Sequence, residues 1–221
     1  MPRLVQVWDL PVRLFHWLLV LLVVISFTTG KLGGSWLAWH FRSGYCILAL
    51  VLFRIAWGLF GSQTARFSDF IHGPKHVLTY ARALLQGGSM FHSGHNPMGG
   101  LMVVLMLALL LVQTATGLFA DDDAGTRAPL ADKVSDAIVS QLTTIHKINI
   151  NIILACVALH ICAALFYLWF KRDNLIKPMF TGTKIVPDEH PAPSMSSPLP
   201  ALLTLAVSAA FVAWLVLVYA R

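Results

Sequence analysis

The stretch of sequence that decides the fold is LTTIHKININIILACVALHICAALFYLWF, at residues 142–170. Its apolar run is longer than the roughly 20 residues that a helix needs to cross a hydrocarbon core of about 30 Å. We therefore expect a membrane span with one end that tilts or projects. Two histidines interrupt the run, at positions 146 and 160. Because a histidine inside a span is costly unless it is paired or liganded, these positions indicate a functional site.

Four further apolar runs lie at residues 11–29, 39–60, 97–119 and 199–221. The chain of 221 residues is 57% hydrophobic and 12% charged, whereas soluble domains carry about 25% charged residues. Asp9 with Pro11, and Asn96 with Pro97, are typical N-cap and first-turn pairs. We predict an all-α integral membrane protein in which four transmembrane helices form a bundle and a fifth lies outside it. No small-x-small cleavage site follows the first run, so we expect a retained signal anchor.

The chain divides into three parts. Residues 1–184 form the main transmembrane domain, residues 185–198 are a linker rich in proline and serine, and residues 199–221 are the fifth helix. Within the first part, residues 67–85 alternate large apolar with basic residues, which predicts a helix lying in the membrane interface. An ordinary polar loop is the alternative, and the number of large apolar residues disfavours it.

Basic residues concentrate on one side of the predicted bundle, which orients it by the positive-inside rule. The loops on that side hold Arg3, Arg13, Arg66, Lys75, Arg82, Lys171, Arg172, Lys177 and Lys184. The other side holds Lys31, Arg127, Lys133 and Arg221, with Asp121, Asp122, Asp123, Asp132 and Asp136. We expect a cytoplasmic N-terminus, a periplasmic C-terminus and a place in the bacterial inner membrane.

Four histidines lie inside the predicted spans at depths that pair them. His146 and His160 are fourteen residues apart, so their side chains leave nearly the same helix face about 21 Å apart along the axis. His16 lies near the start of the first span and His40 near the start of the second, and these spans begin on opposite sides of the membrane. Matching depths pairs His16 with His160 and His40 with His146.

Two histidine pairs stacked across a membrane predict two b-type haems, with one pair holding each iron. Bis-histidine ligation leaves no position open for a substrate, which suits a haem that transfers electrons. A hydrogen-bonded packing role explains a single buried histidine, but not four that pair by depth. Cys46, Cys156 and Cys162 lie in apolar segments without a CxxCH motif, which argues against covalently attached haem.

Two arginines are candidates for binding the acidic groups of the haems. Arg42 flanks the His40/His146 pair, and Arg54 lies fourteen residues after His40, on the same face at the depth of the other pair. A charge at that depth needs an anionic partner, and a haem propionate is the first candidate. The alternatives are that Arg42 only marks the membrane boundary and that Arg54 snorkels to the interface.

The remaining histidines are weaker candidates. His72 and His76 lie four residues apart, a spacing that can bind metal, but no further ligand accompanies them and a solvated face explains them. His95 stands beside the Asn96 cap. Capping explains its position, and the alternative is a hydrogen bond to a quinone or a propionate.

Several motifs carry a family resemblance. They are WDLPVRLFHW at 8–17, HFRSGY at 40–45, FRIAWG at 53–58, GHNPMGG at 94–100, TGLF at 116–119, and the run from 146 that ends in KRDNL at 171–175. In these segments the chain resembles the bacterial cytochrome b561-like family that includes the b-type cytochrome subunit of nickel-iron hydrogenases. The resemblance covers about residues 5–184. It implies a four-helix di-haem core with His16, His40, His146 and His160 as axial ligands, and electron exchange with the quinone pool.

Three functional hypotheses follow. The leading one is a membrane di-haem cytochrome b, without catalytic residues of its own, that transfers electrons between quinone and a periplasmic c-type cytochrome or hydrogenase-like oxidoreductase. The chain has no cysteine cluster and no glycine-rich dinucleotide loop, so it cannot take electrons from hydrogen or NADH alone. The second is a stand-alone quinone-linked oxidoreductase such as a superoxide oxidase, which the acidic loop at 121–136 disfavours because it repels an anion. The third, a structural membrane anchor, leaves the paired histidines unexplained.

Overall fold

The computed structural model describes residues 1–88, 91–122, 125–188 and 190–219. Asp123 and Arg221, which entered the charge comparison, lie outside these ranges. The elements in chain order are β1 (Arg3–Gln6), α1 (Leu10–Leu32), α2 (Leu37–Phe60), α3 (Phe67–Phe70), α4 (Pro74–Leu85), α5 (Pro97–Gly117), α6 (Asp136–Trp169), α7 (Ile176–Thr181), β2 (Thr183–Val186) and α8 (Pro198–Tyr219).

The helices α1, α2, α5, α6 and α8 are long and apolar enough to cross a membrane. The predicted all-α membrane fold is therefore confirmed. Helix α6 has 34 residues, which makes it about 50 Å long and therefore longer than the hydrocarbon core of about 30 Å. It begins at Asp136, six residues before the predicted start at 142, because its first turns mix polar and apolar residues and precede the continuous apolar run.

Side-chain caps begin two of the spans. Asp9 accepts a hydrogen bond from the backbone N–H of Val12 at 2.8 Å, and Asn96 accepts one from that of Gly99 at 2.8 Å. In both helices a proline occupies the first turn, where no N–H is needed. The sequence pairs that predicted these starts therefore fix where the chain enters the helices.

Helix α2 is the centre of the bundle. It packs against α1, α5 and α8, and α5 in turn packs against α6. Residues Ile47 to Val51 are buried along its length, and the fifth helix, α8, covers it with Val212 against Leu48 and Ala49. In the described residues, α6 packs closely against α5, and its backbone stays farther from α1 and α2.

A two-stranded ribbon closes one end of the bundle. Strand β1 pairs antiparallel with β2, with Arg3 opposite Val186 and Gln6 opposite Thr183. We call this the ribbon end, and we call the opposite end, formed by residues 118–122 and 125–135, the acidic end. The ribbon was not predicted, and β2 crosses the expected boundary between the main domain and the linker at 184. Farther along that linker, the backbone N–H of Ser196 donates to the hydroxyl of Ser62 at 3.0 Å.

The amphipathic segment at 67–85 lies at the ribbon end as two helices and not one. Helix α3 ends at Phe70 and α4 begins at Pro74, since proline starts helices and does not continue them. The phenol oxygens of Tyr80 on α4 and Tyr167 on α6 lie 2.6 Å apart. This contact ties the surface segment to the transmembrane bundle.

Asp9 joins the ribbon end to the core, and its removal should destabilise the fold. Its second oxygen accepts a hydrogen bond from Trp57 Nε1 at 2.9 Å, and both residues are buried. We expect Asp9→Ala to cost about 2–4 kcal/mol, because a lost N-cap costs about 1 kcal/mol and an unpaired buried N–H about 1–3 kcal/mol. Thermal unfolding in detergent should show a melting temperature several degrees lower.

The control is Asp188→Ala, which removes an exposed carboxylate that pairs with the N-terminal amine. An exposed ion pair contributes little, so this variant should melt like the unchanged protein. Equal melting temperatures for the two variants would contradict a structural role for Asp9.

Candidate functional site

Four histidines from three helices face one another across the space beside α6. The rings of His16 on α1 and His160 on α6 have centres 6.4 Å apart, towards the ribbon end. The rings of His40 on α2 and His146 on α6 have centres 6.1 Å apart, towards the acidic end. The structure thus brings together the residues that were expected to share a depth.

These separations match the dimensions of metal ligation. An imidazole nitrogen binds a metal ion at about 2 Å and lies about 1 Å from its ring centre, so rings on opposite sides of one ion have centres about 6 Å apart. Direct stacking of the two rings would bring their centres closer. A direct hydrogen bond between the rings would require a ring nitrogen of one histidine to donate to a ring nitrogen of the other. Both pairs are therefore spaced to hold one metal ion between two rings.

The acidic-end rings are oriented by backbone carbonyls. Nδ1 of His40 lies 2.8 Å from the carbonyl oxygen of Ser26, and Nδ1 of His146 lies 2.9 Å from that of Gln113. A carbonyl only accepts, so each Nδ1 carries the proton and each Nε2 has a lone pair. This arrangement is the usual support of a metal-bound histidine, because it fixes the ring and raises its basicity.

A cavity of about 490 Å³ surrounds the acidic-end pair. Its walls come from α1, α2, α5 and α6, and they are largely apolar. Sites for small cofactors typically have volumes of about 300–1,000 Å³ and apolar walls with a few placed polar groups. The cavity, the two lone pairs and the ring separation together fit a flat metal-bearing cofactor.

Arg42 does not reach this cavity. It is exposed and lies over the ring of Trp39, with its guanidinium carbon 5.3 Å from the ring centre. Residues two apart on a helix point about 200° apart, so Arg42 and His40 leave opposite faces of α2. Lys31 and Lys147 line the cavity and Arg42 does not, which corrects the expectation for Arg42 alone.

Gln113 and Asn149 form a hydrogen-bonded link between α5 and α6. Asn149 donates to the Gln113 side-chain oxygen at 2.8 Å and to the Leu109 carbonyl at 2.9 Å. The amide nitrogen of Gln113 donates to the His146 carbonyl at 3.2 Å and lies 3.1 Å from His146 Nε2. A metal on Nε2 would replace this last contact, and the amide would keep the bond to the carbonyl.

Arg54 is buried at the ribbon end without a full set of partners. It is 2% exposed and its guanidinium lies over Phe67 and Phe70, 5.6 and 5.9 Å from the ring centres. Its Nη1 is buried and has no hydrogen-bond partner among the described residues. Asp9 attracts it electrostatically, but the two form no ion pair within the described part of the chain. A buried guanidinium of this kind calls for an anionic ligand.

His95 lies beside Arg54, whereas the sequence favoured a position explained by capping of α5. Asn96 alone caps α5, while the His95 ring lies between Trp8 and Phe70, with centres 4.7 Å from each. The residue is partly exposed, but its Nδ1 is buried and has no partner among the described residues. Burial, and after it the nearby positive charge of Arg54, lower the pKa of His95 to about 3. The neutral ring can therefore donate one hydrogen bond to a ligand.

The ribbon-end histidines have a different surrounding from the acidic-end pair. His16 has its Nδ1 buried without a partner among the described residues, and its ring meets Trp17 edge-on at 4.9 Å. His160 is exposed along α6. His72 and His76, away from the spans, have ring centres 6.0 Å apart, but they are only four residues apart in the chain, and this local spacing accounts for their proximity.

A helical membrane bundle that pairs histidines at metal-ligation distance belongs to the class of membrane b-type cytochromes. The family model for the prokaryotic cytochrome b561 matches residues 7–182, which is most of the chain and includes all four paired histidines. The chain is a member of this family. Its cofactor is accordingly haem b, and its activity is electron transfer in a membrane.

Three curated relatives are similar along most of their length, and each is described as a probable Ni/Fe-hydrogenase B-type cytochrome subunit. The protein of Azotobacter vinelandii is 23% identical over 220 residues, covering 85% of this chain and 91% of the relative. That of Azotobacter chroococcum mcd 1 is 25% identical over 225 residues with the same coverage. That of Rhizobium leguminosarum bv. viciae is 23% identical, covering 84% and 91%. No solved structure gives a significant match.

The link between α5 and α6 can be tested with two neighbouring asparagines. We expect Asn149→Ala to destabilise the protein by about 1–3 kcal/mol, because the part-buried Gln113 side-chain oxygen loses the hydrogen bond from buried Asn149. The matched control is Asn151→Ala, since exposed Asn151 donates only to the Lys147 carbonyl of its own helix. Melting temperatures in detergent should fall for the first variant and stay within about 1 °C for the second. The reverse order would contradict the link.

Proposed function

We propose that the chain is a di-haem cytochrome b that transfers electrons between the quinone pool and a periplasmic redox partner. The observation that carries the proposal is the presence of two histidine pairs, at 6.1 and 6.4 Å, on the two halves of one bundle. In this proposal His40 and His146 hold one haem b and His16 and His160 hold the other. Haem supplies one-electron chemistry at its iron, and the protein supplies ligands, orientation and a dry surrounding.

The roles of the chain's own residues follow from their positions. The carbonyls of Ser26 and Gln113 orient the acidic-end rings, and the apolar walls of the cavity exclude water. Arg54 and His95 bind an acidic group of the ribbon-end haem, because both present buried nitrogen atoms that have no hydrogen-bond partner among the described residues. For Arg42 the remaining role is to mark the membrane boundary. Lys31 and Lys147 compensate negative charge at the mouth of the cavity in its place.

The orientation in the membrane is also a proposal. The ribbon end carries most of the basic loop residues and is assigned to the cytoplasm, which puts the acidic end in the periplasm of a bacterial inner membrane. At the acidic end, Arg127 is shared by Asp121, Asp132 and Asp136 at 3.6, 3.3 and 2.9 Å. These carboxylates and the exposure of Asp132 and Asp136 favour a partner with a basic docking face.

We infer the class of the redox partner from the descriptions of the relatives. Their description as hydrogenase cytochrome subunits suggests that this chain serves a hydrogenase-like oxidoreductase, with a c-type cytochrome as the other candidate. In either case the chain passes electrons and does not generate them. A stand-alone oxidase of superoxide remains the contrasting outcome, and the acidic end disfavours it because it repels the anion.

Haem content tests the central proposal. The purified protein should contain two haems b per chain by the pyridine haemochrome assay, because each histidine pair holds one. His160→Ala and His16→Ala should each remove the same haem, and His40→Ala and His146→Ala the other. The matched control is His76→Ala, which should retain both.

Two results would overturn the assignment. A value of one haem or none in the unchanged protein would end the di-haem proposal. The pairing would be contradicted if His16→Ala and His160→Ala removed different haems, as resolved by absorption bands and potentials.

The electron donor is tested by rapid mixing of the protein with a quinol or with superoxide, each without a partner protein. We expect the quinol alone to reduce the protein.

Charge at the acidic end should control the reaction with the partner. We expect Asp132→Lys with Asp136→Lys to slow electron exchange with a basic c-type cytochrome roughly tenfold at low salt, because steering depends on opposite charge. Raising the ionic strength should reduce the difference. Asp188→Lys, at the ribbon end, is the control and should leave the rate unchanged. An equal effect of the two changes would contradict docking at the acidic end.

A further inference from the structure

We propose that α1 and α5 each carry a short seat that positions one histidine of the acidic-end pair and adjusts its basicity. The seats are SFTTG at 26–30 and QTATG at 113–117. Each seat has three parts. The carbonyl of the first residue accepts from the ring N–H, the hydroxyl of the fourth residue donates to that carbonyl, and the glycine at the fifth position leaves room for the ring. The proposal rests on the haem-binding function proposed above and adds the residues that position two of its ligands.

The first seat is formed by the last turns of α1. Nδ1 of His40 lies 2.8 Å from the Ser26 carbonyl. Buried Thr29 donates its hydroxyl to the same carbonyl at 3.3 Å and to that of Ile25 at 2.7 Å. A Cβ atom on Gly30 would come within 2.7 Å of His40 Nδ1. The imidazole therefore occupies the space that any side chain at position 30 would need.

The second seat repeats these contacts at the end of α5. Nδ1 of His146 lies 2.9 Å from the Gln113 carbonyl. Buried Thr116 donates to the same carbonyl at 3.1 Å and to that of Val112 at 2.7 Å. A Cβ atom on Gly117 would come within 2.9 Å of His146 Cε1. Each histidine thus rests on the helix that precedes its own in the chain.

Helix termination does not explain the two glycines. Neither Gly30 nor Gly117 has a positive φ, whereas Gly33, just after α1, does. Glycine within a helix is destabilising unless something else requires it. Simple close packing of helices would require a small residue but not the aligned carbonyl and hydroxyl. The shared requirement is room for an imidazole that donates to the carbonyl four residues before the glycine.

The threonine gives the seat a chemical role beyond shape. The threonine hydroxyl and the imidazole N–H donate to the same carbonyl oxygen, and each donor draws electron density from it, so the hydroxyl weakens the bond that the imidazole makes. A stronger N–H···O bond makes the imidazole more basic and favours the oxidised metal, which lowers the reduction potential. The threonine therefore moderates the potential of the acidic-end haem. His16, whose Nδ1 has no partner among the described residues, lacks this control.

Alanine substitutions test the shape of the seat. Gly30→Ala and Gly117→Ala should each push one ring away from its carbonyl and weaken the N–H···O bond. In a redox titration the acidic-end haem should shift to higher potential while the ribbon-end haem keeps its value. In electron paramagnetic resonance of the oxidised protein, only the acidic-end low-spin signal should change.

Threonine substitutions test the chemistry with less risk to folding. Thr29→Val and Thr116→Val keep the size and remove the competing hydroxyl, so the acidic-end haem should shift to lower potential, opposite to the alanine variants. Thr29→Ser and Thr116→Ser should restore the original value. The matched control is Thr114→Val, since Thr114 donates to the Leu110 and Leu111 carbonyls and to neither seat carbonyl.

The outcomes separate this proposal from the function on which it rests. Two haems in every variant with opposite shifts for alanine and valine support the seats. Two haems with unchanged potentials and spectra, or shifts shared equally by both haems, overturn the seats and leave the di-haem function intact. Absence of haem from the unchanged protein overturns the function itself.

Discussion

The constraint on which the rest of the bundle depends is the cost of an imidazole ring in a hydrocarbon environment. Each ring has two nitrogen atoms, and inside a membrane both need partners. For His40 and His146 the neighbouring helices provide carbonyls for Nδ1, which leaves the lone pair of each Nε2 for another partner. The position of α6 then follows. It carries one member of each pair, so its distance from α1 and α2 is set by two rings and the metal ion that they can hold.

The ends of the bundle reinforce this spacing by different means. At the ribbon end, Asp9 caps α1 and holds Trp57 of α2, so the register between these helices is fixed near His16. At the acidic end, Asn149 and Gln113 connect α5 to α6 one turn from His146. The fifth helix lies against α2 and adds apolar burial without adding a histidine to either pair. Rigid elements thus surround a site whose distances matter to a few tenths of an ångström.

The sequence predicted what helical geometry alone determines. Long apolar runs gave the spans, and the fourteen-residue spacing with alternating helix direction gave the same histidine neighbours that the structure has. It failed where tertiary contacts decide. Strands of four residues carry too little pattern to predict the ribbon, and the seats appear only when Gly30 and Gly117 are seen under rings from other helices. The Arg42 expectation failed for a reason available beforehand, since residues two apart on a helix face opposite ways.

The two histidine pairs differ in how their second nitrogen atoms are satisfied, and this difference separates the two ends functionally. The acidic-end rings have carbonyl acceptors from the protein and are fully oriented by it. At the ribbon end, His16, His95 and Arg54 all have buried nitrogen atoms without partners among the described residues. Such atoms are expensive unless a ligand satisfies them. The acidic end is therefore oriented by the chain itself, whereas the ribbon end of the proposed di-haem arrangement would need acidic groups of a cofactor to satisfy these atoms. We accordingly expect the stability of the ribbon end to be more closely coupled to haem binding.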